Sequence, residues 1–358
     1  MTRENSVTRV CFSVAIVCSV LFLLVIAPVQ VADLYGQEAK STTAESGWRP
    51  LTIPESKDLQ ILAQFLDATK KLQPIKPNEY IEMQRALREV AKKILEIETD
   101  RKTSLFRKAE SEFVSASVML LGNEGPDAQR KTVERFQDYL QKKEKIEFID
   151  IQMAVLAGAN LEQLSDTSLG KEAYQSFAEI FRKKEDEGLE DVIRLLEANG
   201  RRLDMFGKEF KLVGTDFSGE DFNVTSLRGK YVLVYFWTSE TRACEQEHPY
   251  MLSVYNNYKS RGFEIVGIGL DEKKDLAQAF IKKLGIPWIN LWDSRKSGVS
   301  KVMETYGVTA VPTLILLDKE GKVISLEARG LVLGRSLERL LPNAPPINAD
   351  KTERTPKS

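Results

Sequence analysis

Residues 231 to 249, YVLVYFWTSETRACEQEHP, constrain the fold of this chain more than any other stretch. The first seven are β-branched, aliphatic or aromatic, with Arg228-Gly229-Lys230 before them and Thr238-Ser239 after, so they predict a fully buried strand. A central strand of an α/β sheet is the natural context. The polar turn beyond it leads into a helix, and Cys244 falls in the first helical turn, where free backbone N–H groups favour an anion such as a thiolate. Position alone favours a reactive sulfur.

Around this strand the C-terminal third alternates strand and helix patterns. Phe210 to Val213 and Phe222 to Leu227 supply an opening strand or hairpin, Phe263 to Leu270 a second buried strand, and Ile289 to Trp292 a short one. Helix patterns fall from Pro249 to Lys259, from about Asp275 to Leu284, near Val299 to Tyr306, and from Leu337 to Leu341. The run GVTAVPTLILLDKEGKVISL predicts two strands joined by a turn at Asp318-Lys319-Glu320-Gly321. That order suits an α/β sheet ending in a hairpin and a helix.

Residues 210 to 341 resemble the extracytoplasmic thioredoxin-like family that includes TlpA and ResA, membrane-tethered thiol-disulfide proteins whose core reads F-W-x-x-W-C-x-P-C-x-x-E-x-P. In the same register this chain reads FWTSETRACEQEHP, so Phe236, Trp237, Cys244, Glu247 and Pro249 match. Glu240 replaces the family's second tryptophan, Thr241 its attacking cysteine, and Ala243 its proline. Val311-Pro312-Thr313 is a second likeness. In the family this proline is cis and lies beside the redox motif, where neighbouring backbone pairs with an extended peptide. The resemblance therefore implies a thioredoxin-like C-terminal domain and a substrate groove at Val311 and Pro312, with Trp237 read as core or groove lining. Protein thiols or disulfides are the partners it implies, together with a peptide in that groove.

The departures fall on the chemistry. In a two-cysteine site one thiolate attacks a substrate disulfide and the second resolves the mixed disulfide. A threonine hydroxyl is inert towards disulfides, so dithiol turnover within one chain is excluded. Three readings stay open. Cys244 can act as a monothiol, it can be a buried inert thiol beside a groove that binds a peptide without catalysis, or Thr241-x-x-Cys244 can serve as the T-x-x-C of a peroxiredoxin-like peroxidase, although such motifs carry proline where Trp237 stands. Glu240, Glu245 and Glu247 near Cys244 oppose the helix terminus, which leaves the direction of the thiol's shift open. Glu247 matches a family glutamate that moves protons during exchange; its alternative is a solvated helix residue. His248, the only histidine, lies one turn after Cys244 and is either its partner or an isolated side chain. One Cys and one His make no metal-ligand set, and no cofactor is implied.

The N-terminus bears on compartment. Residues 1–32 carry Arg3 and Arg9 ahead of VCFSVAIVCSVLFLLVIA, the layout of an export signal or an uncleaved membrane anchor. The expected location is therefore extracytoplasmic, in the periplasm or cell envelope, anchored or secreted. Cys11 and Cys18 lie inside this segment, which leaves Cys244 alone and without a disulfide partner. A formal net charge of -1 gives no sign of a nucleic-acid surface.

Residues 33–50 are small and polar and read as a tether. Residues 51–203 show helical spacing throughout, with stripes such as Leu59, Leu62, Phe65, Leu66 and Leu72, or Leu87, Val90, Ala91, Ile94 and Leu95. Thr52-Ile53-Pro54 reads as the first cap and Gly200 as the last. This region holds no cysteine or histidine and no catalytic constellation. The predicted architecture is an all-α domain at 51–203, a thioredoxin-like α/β domain at 204–342, and a disordered tail at 343–358.

Overall fold

The computed structural model describes residue 48 and residues 50–162, 166–293 and 301–342. The predicted leader, most of the linker and the predicted tail lie outside these residues. Among the described residues no helix is long and apolar enough to cross a membrane.

The helical region forms α1 (Leu59–Lys70), α2 (Pro77–Ile97), α3 (Ser104–Leu120), α4 (Pro126–Lys142), α5 (Phe148–Glu162), α6 (Ser168–Arg182) and α7 (Glu190–Asp204). Apolar residues three and four apart make one face of most of these helices a stripe, whereas α5 is apolar on more than one side. Leu62 and Leu66 of α1 meet Leu87, Val90, Ala91 and Ile94 of α2 and Ala109 and Ala116 of α3 in a single core. Helix α1 starts later than Thr52-Ile53-Pro54 suggests, because the Asp58 carboxylate accepts the Gln60 N–H at 2.8 Å and complements the positive helix end. At α2, Pro77 opens the first turn and Glu79 reaches back to accept the N–H groups of Ile75 and Lys76 at 2.9 and 3.0 Å.

Packing divides the described chain after Asn160. Helices α1 to α4 and most of α5 form one compact unit, and Leu161 onward forms the other, together with Glu144–Ile146. Helices α6 and α7 fall in the same unit as the sheet. Gly200 does not cap α7; it lies inside it. A Cβ there would lie 3.4 Å from Gln175 Cγ and 3.7 Å from Tyr174 Cβ, ordinary packing contacts with α6.

In the second unit β1 (Val213–Thr215) and β2 (Asp221–Asn223) form an antiparallel hairpin, and Val224 to Leu227 turns as a 3-10 helix instead of extending the strand. The main sheet has the order β5-β4-β3-β6-β7 and comprises β3 (Tyr231–Trp237), β4 (Phe263–Gly269), β5 (Ile289–Trp292), β6 (Thr313–Leu317) and β7 (Val323–Ser325). Strand β3 lies at its centre, parallel to β4 and antiparallel to β6, and residues 232 to 237 are buried on both faces. Helices α8 (Arg242–Tyr258), α9 (Lys274–Leu284), α10 (Lys301–Tyr306) and α11 (Leu331–Leu340) complete the unit. Leu233, Tyr235 and Trp237 share one core with Met251, Val254 and Tyr258 of α8 and Leu333 and Leu337 of α11. Helix α11 begins six residues before the predicted one because Gly330 ends the preceding extended segment and the Leu333–Leu337 stripe already faces this core. The result is the thioredoxin-like α/β arrangement that the resemblance implied.

Candidate functional site

The strand–turn–helix at β3 and α8 positions every candidate from the motif. Thr241 is the N-cap of α8, half-buried, and its hydroxyl makes no capping hydrogen bond. Cys244 is the third helical residue; its N–H donates to the Thr241 carbonyl at 2.9 Å, and its own carbonyl accepts the Tyr235 hydroxyl at 3.2 Å. The residue is fully buried, with 0% exposure, in the core beneath α8. Burial pushes the thiol above its ordinary range, while hydrogen bonds at Thr238 and Tyr235 and the positive charge of Arg329 pull the other way. The direction that sequence left open is therefore set by desolvation. Cys244 is the one free cysteine among the described residues.

Glu247, one turn on, is also buried, and its carboxylate is engaged. Arg329 Nε donates to Glu247 Oε2 at 2.7 Å, and the Gly330 N–H donates to Oε1 at 3.3 Å. It is neither solvated nor a free proton carrier in this conformation. The contact ties α8 to the loop after β7. That same loop borders the proline: the Val311–Pro312 bond is cis, and Pro312, Thr313, Leu314, Leu326 and Arg329 line a cavity of about 210 Å³. Val311 packs against the core cluster that contains Cys244. The structure thus brings residues 244, 247, 311 and 312 into one neighbourhood, joined through Arg329.

Trp237 lies elsewhere. It has 0% exposure, stacks on Phe280 at 5.1 Å, donates its indole N–H to Asn290 Oδ1 at 3.2 Å, and is not among the residues lining the cavity. Its side chain follows the strand's inward alternation to the α8 and α9 face, so of the two roles read from sequence it takes the core one.

Two residues of the site escaped sequence reasoning. Asp271, fully buried at the end of β4, accepts the Ser239 N–H at 3.0 Å, the Thr238 hydroxyl at 3.1 Å and the Ser239 hydroxyl at 2.5 Å. It thereby fixes the turn between β3 and α8. A charged residue closing an apolar strand was the available signal. Arg329 carried none, since it lies 82 positions from Glu247.

His248 is not an isolated surface residue. It is 5% exposed, its ring centroid lies 5.6 Å from that of Trp288, and its Nε2 has no hydrogen-bond partner in this structure. Burial holds its imidazole below the ordinary value of 6.5. A group depressed on folding contributes stability above its unfolded pKa and loses it as pH falls through the folded value. The urea midpoint is therefore expected to drop as pH falls below about 6.5, and His248→Phe, which keeps the ring contact, to flatten that slope. Parallel slopes for the two proteins above the carboxylate range would contradict the assignment. Among the described residues no group of three or more His, Cys, Asp or Glu could hold a metal ion.

Known proteins resemble this chain in its C-terminal part. A family model described as thioredoxin-like matches residues 229–323. The thiol-disulfide oxidoreductase ResA of Bacillus thuringiensis subsp. konkukian is 36% identical over 141 residues, 39% of this chain and 79% of that protein. ResA of Bacillus subtilis is 32% identical over 111 residues, 31% of this chain and 60% of that protein. The thioredoxin domain of a thiol-disulfide oxidoreductase from Bacteroides vulgatus is 32% identical with a TM-score of 0.36, covering 38% of this chain and 97% of that one. With its central strand, redox-motif helix and cis-proline loop in the positions described, the chain belongs to the ResA family of thioredoxin-like thiol-disulfide oxidoreductases.

Proposed function

We propose that this chain is an extracytoplasmic, degenerate member of its family that holds an extended protein segment in the groove beside Pro312 and performs no dithiol turnover. The carrying observation is the pairing of a hydroxyl at Thr241, where the family attacks its substrate, with a Cys244 sulfur of 0% exposure. A thiol acts as a nucleophile only as its thiolate, and burial disfavours that form here. Peroxide reduction by Cys244 needs the same exposed thiolate. The groove has no such requirement, because backbone pairing and side-chain pockets suffice to hold a strand. The charged and apolar segment at 1–32 supports delivery to the cell envelope, by a cleaved signal or a retained anchor. Protein thiols or disulfides, the chemistry in the relatives' names, remain the class from which the bound segment is drawn.

Disulfide reduction and peroxide consumption by the wild type and by Cys244→Ser test this directly. Both proteins are expected to stay at background in both assays, and Pro312→Ala to lose affinity for any strand peptide that the wild type binds. Wild-type turnover that Cys244→Ser abolishes would replace the proposal with a monothiol or peroxidatic activity.

A further inference from the structure

The cavity beside Pro312 is walled partly by a residue outside the stretch matched by the family model. Arg202, on α7, is 8% exposed, and its Nη2 donates to Glu162 Oε2 at 2.5 Å. Glu162 is held in turn by the Tyr174 hydroxyl at 2.7 Å. On the other side Arg329 is backed by the buried carboxylate of Glu247. Both guanidiniums are thus fixed from behind by carboxylates, and both line the same cavity. The third acid is placed differently. Glu327, also a lining residue, has a side chain 70% exposed, and its Oε1 stands 3.8 Å from Arg202 Nη1, beyond hydrogen-bond length.

We infer that this cavity is a side-chain subsite selective for an acidic residue of the bound segment, with Arg202 and Arg329 as its donors and Glu327 as a resident counterion that the ligand displaces. The inference rests on the groove reading above. Counting Glu162, Glu247 and Glu327 against the two arginines leaves one excess negative charge, so a fourth carboxylate could not simply be added. Exchange for Glu327 avoids that cost. The departing carboxylate swings into solvent, and the incoming one can approach a guanidinium at the short distances of a charge-assisted pair. The excess negative charge gives a lysine little, because it resides on the solvent-exposed Glu327 while Glu162 and Glu247 are already engaged by the two guanidiniums that the ammonium would meet. About 210 Å³, floored by Pro312, Leu314 and Leu326, suits one short side chain and excludes a folded element.

The test uses the full-length chain and fluorescent strand peptides of Thr and Val with one central Glu, Gln or Lys. The Glu peptide is expected to bind about tenfold tighter than the Gln peptide, with the Lys peptide weakest. Glu327→Gln should tighten the Glu peptide further, and Arg202→Lys, which keeps the charge and loses the planar fork, should erase the preference. If the three peptides bind equally, the groove reading stands and the acidic selectivity is overturned. If none binds, both fall. Should Arg202→Lys fail to fold, Glu327→Gln at its exposed position decides: an unchanged affinity for the Glu peptide overturns the inference.

Discussion

Thr241→Cys is expected to give a chain that forms an internal disulfide and passes it on. Residue 241 caps α8 and residue 244 is three positions later, joined by the Cys244 N–H bond to the Thr241 carbonyl at 2.9 Å. Residue 241 is the extended N-cap and residue 244 lies in the first turn, so a disulfide between them needs their Cβ atoms brought to about 3.5–4.5 Å across the helix start. The new sulfur would occupy the half-buried N-cap, open to a partner, where the helix terminus favours its thiolate. Cys244, buried behind it, then has the resolving role for which its position suits it. Insulin reduction should rise at least about a hundredfold over the wild type, since an adjacent thiol outruns an external one at ordinary concentrations. Adding Cys244→Ser to that variant should return the rate to background. Two thiols that stay reduced under mild oxidation would show that Ala243 and Glu240, which replace the family's proline and tryptophan, spoil the site as thoroughly as Thr241 does.

What made this site legible in advance was local. The run from Tyr231 to Trp237 is apolar without alternation, Cys244 follows at helix-start distance, and Val311-Pro312-Thr313 precedes another apolar run, so strand, turn and proline loop could all be placed from neighbouring residues. The partners that define its chemistry could not. Arg329 reaches Glu247 across the sheet topology, Asp271 meets Ser239 because β4 pairs with β3 in one particular register, and Arg202 enters the cavity from a helix more than a hundred positions before Pro312. Glu247 illustrates the consequence. Sequence left it either solvated or proton-moving, and only the position of Arg329 shows a carboxylate already satisfied. Gly200 differs from its expected role for a related reason: a glycine near the end of an apolar stripe looks the same whether it caps the helix or lies inside its last turns.

Gly307→Ala should be among the most damaging single changes in the second unit, and it would act through α7. Gly307 follows α10 with φ of 62°, and a Cβ there would fall 2.0 Å from the Ala198 carbonyl oxygen and 2.9 Å from the Arg202 backbone nitrogen. Both are backbone atoms of α7, so no rotamer change relieves the clash. Left-handed strain costs about 1–2 kcal/mol for an L residue, and overpacking that moves backbone adds about 1–3 kcal/mol. The combined loss, about 2–5 kcal/mol, is a large share of a typical domain's stability. Gly229→Ala supplies the control, because Gly229 has φ of 88° and open space where its Cβ would go. It should show the strain alone, at about 1–2 kcal/mol, so the difference between the two urea midpoints isolates the contact with α7. Because Arg202 lies four residues beyond Ala198, whatever fraction of Gly307→Ala remains folded should also lose the preference for the Glu peptide, whereas Gly229→Ala should keep it. Equal midpoints for the two variants would mean that α7 yields without cost, and that Arg202 is not held where the cavity needs it.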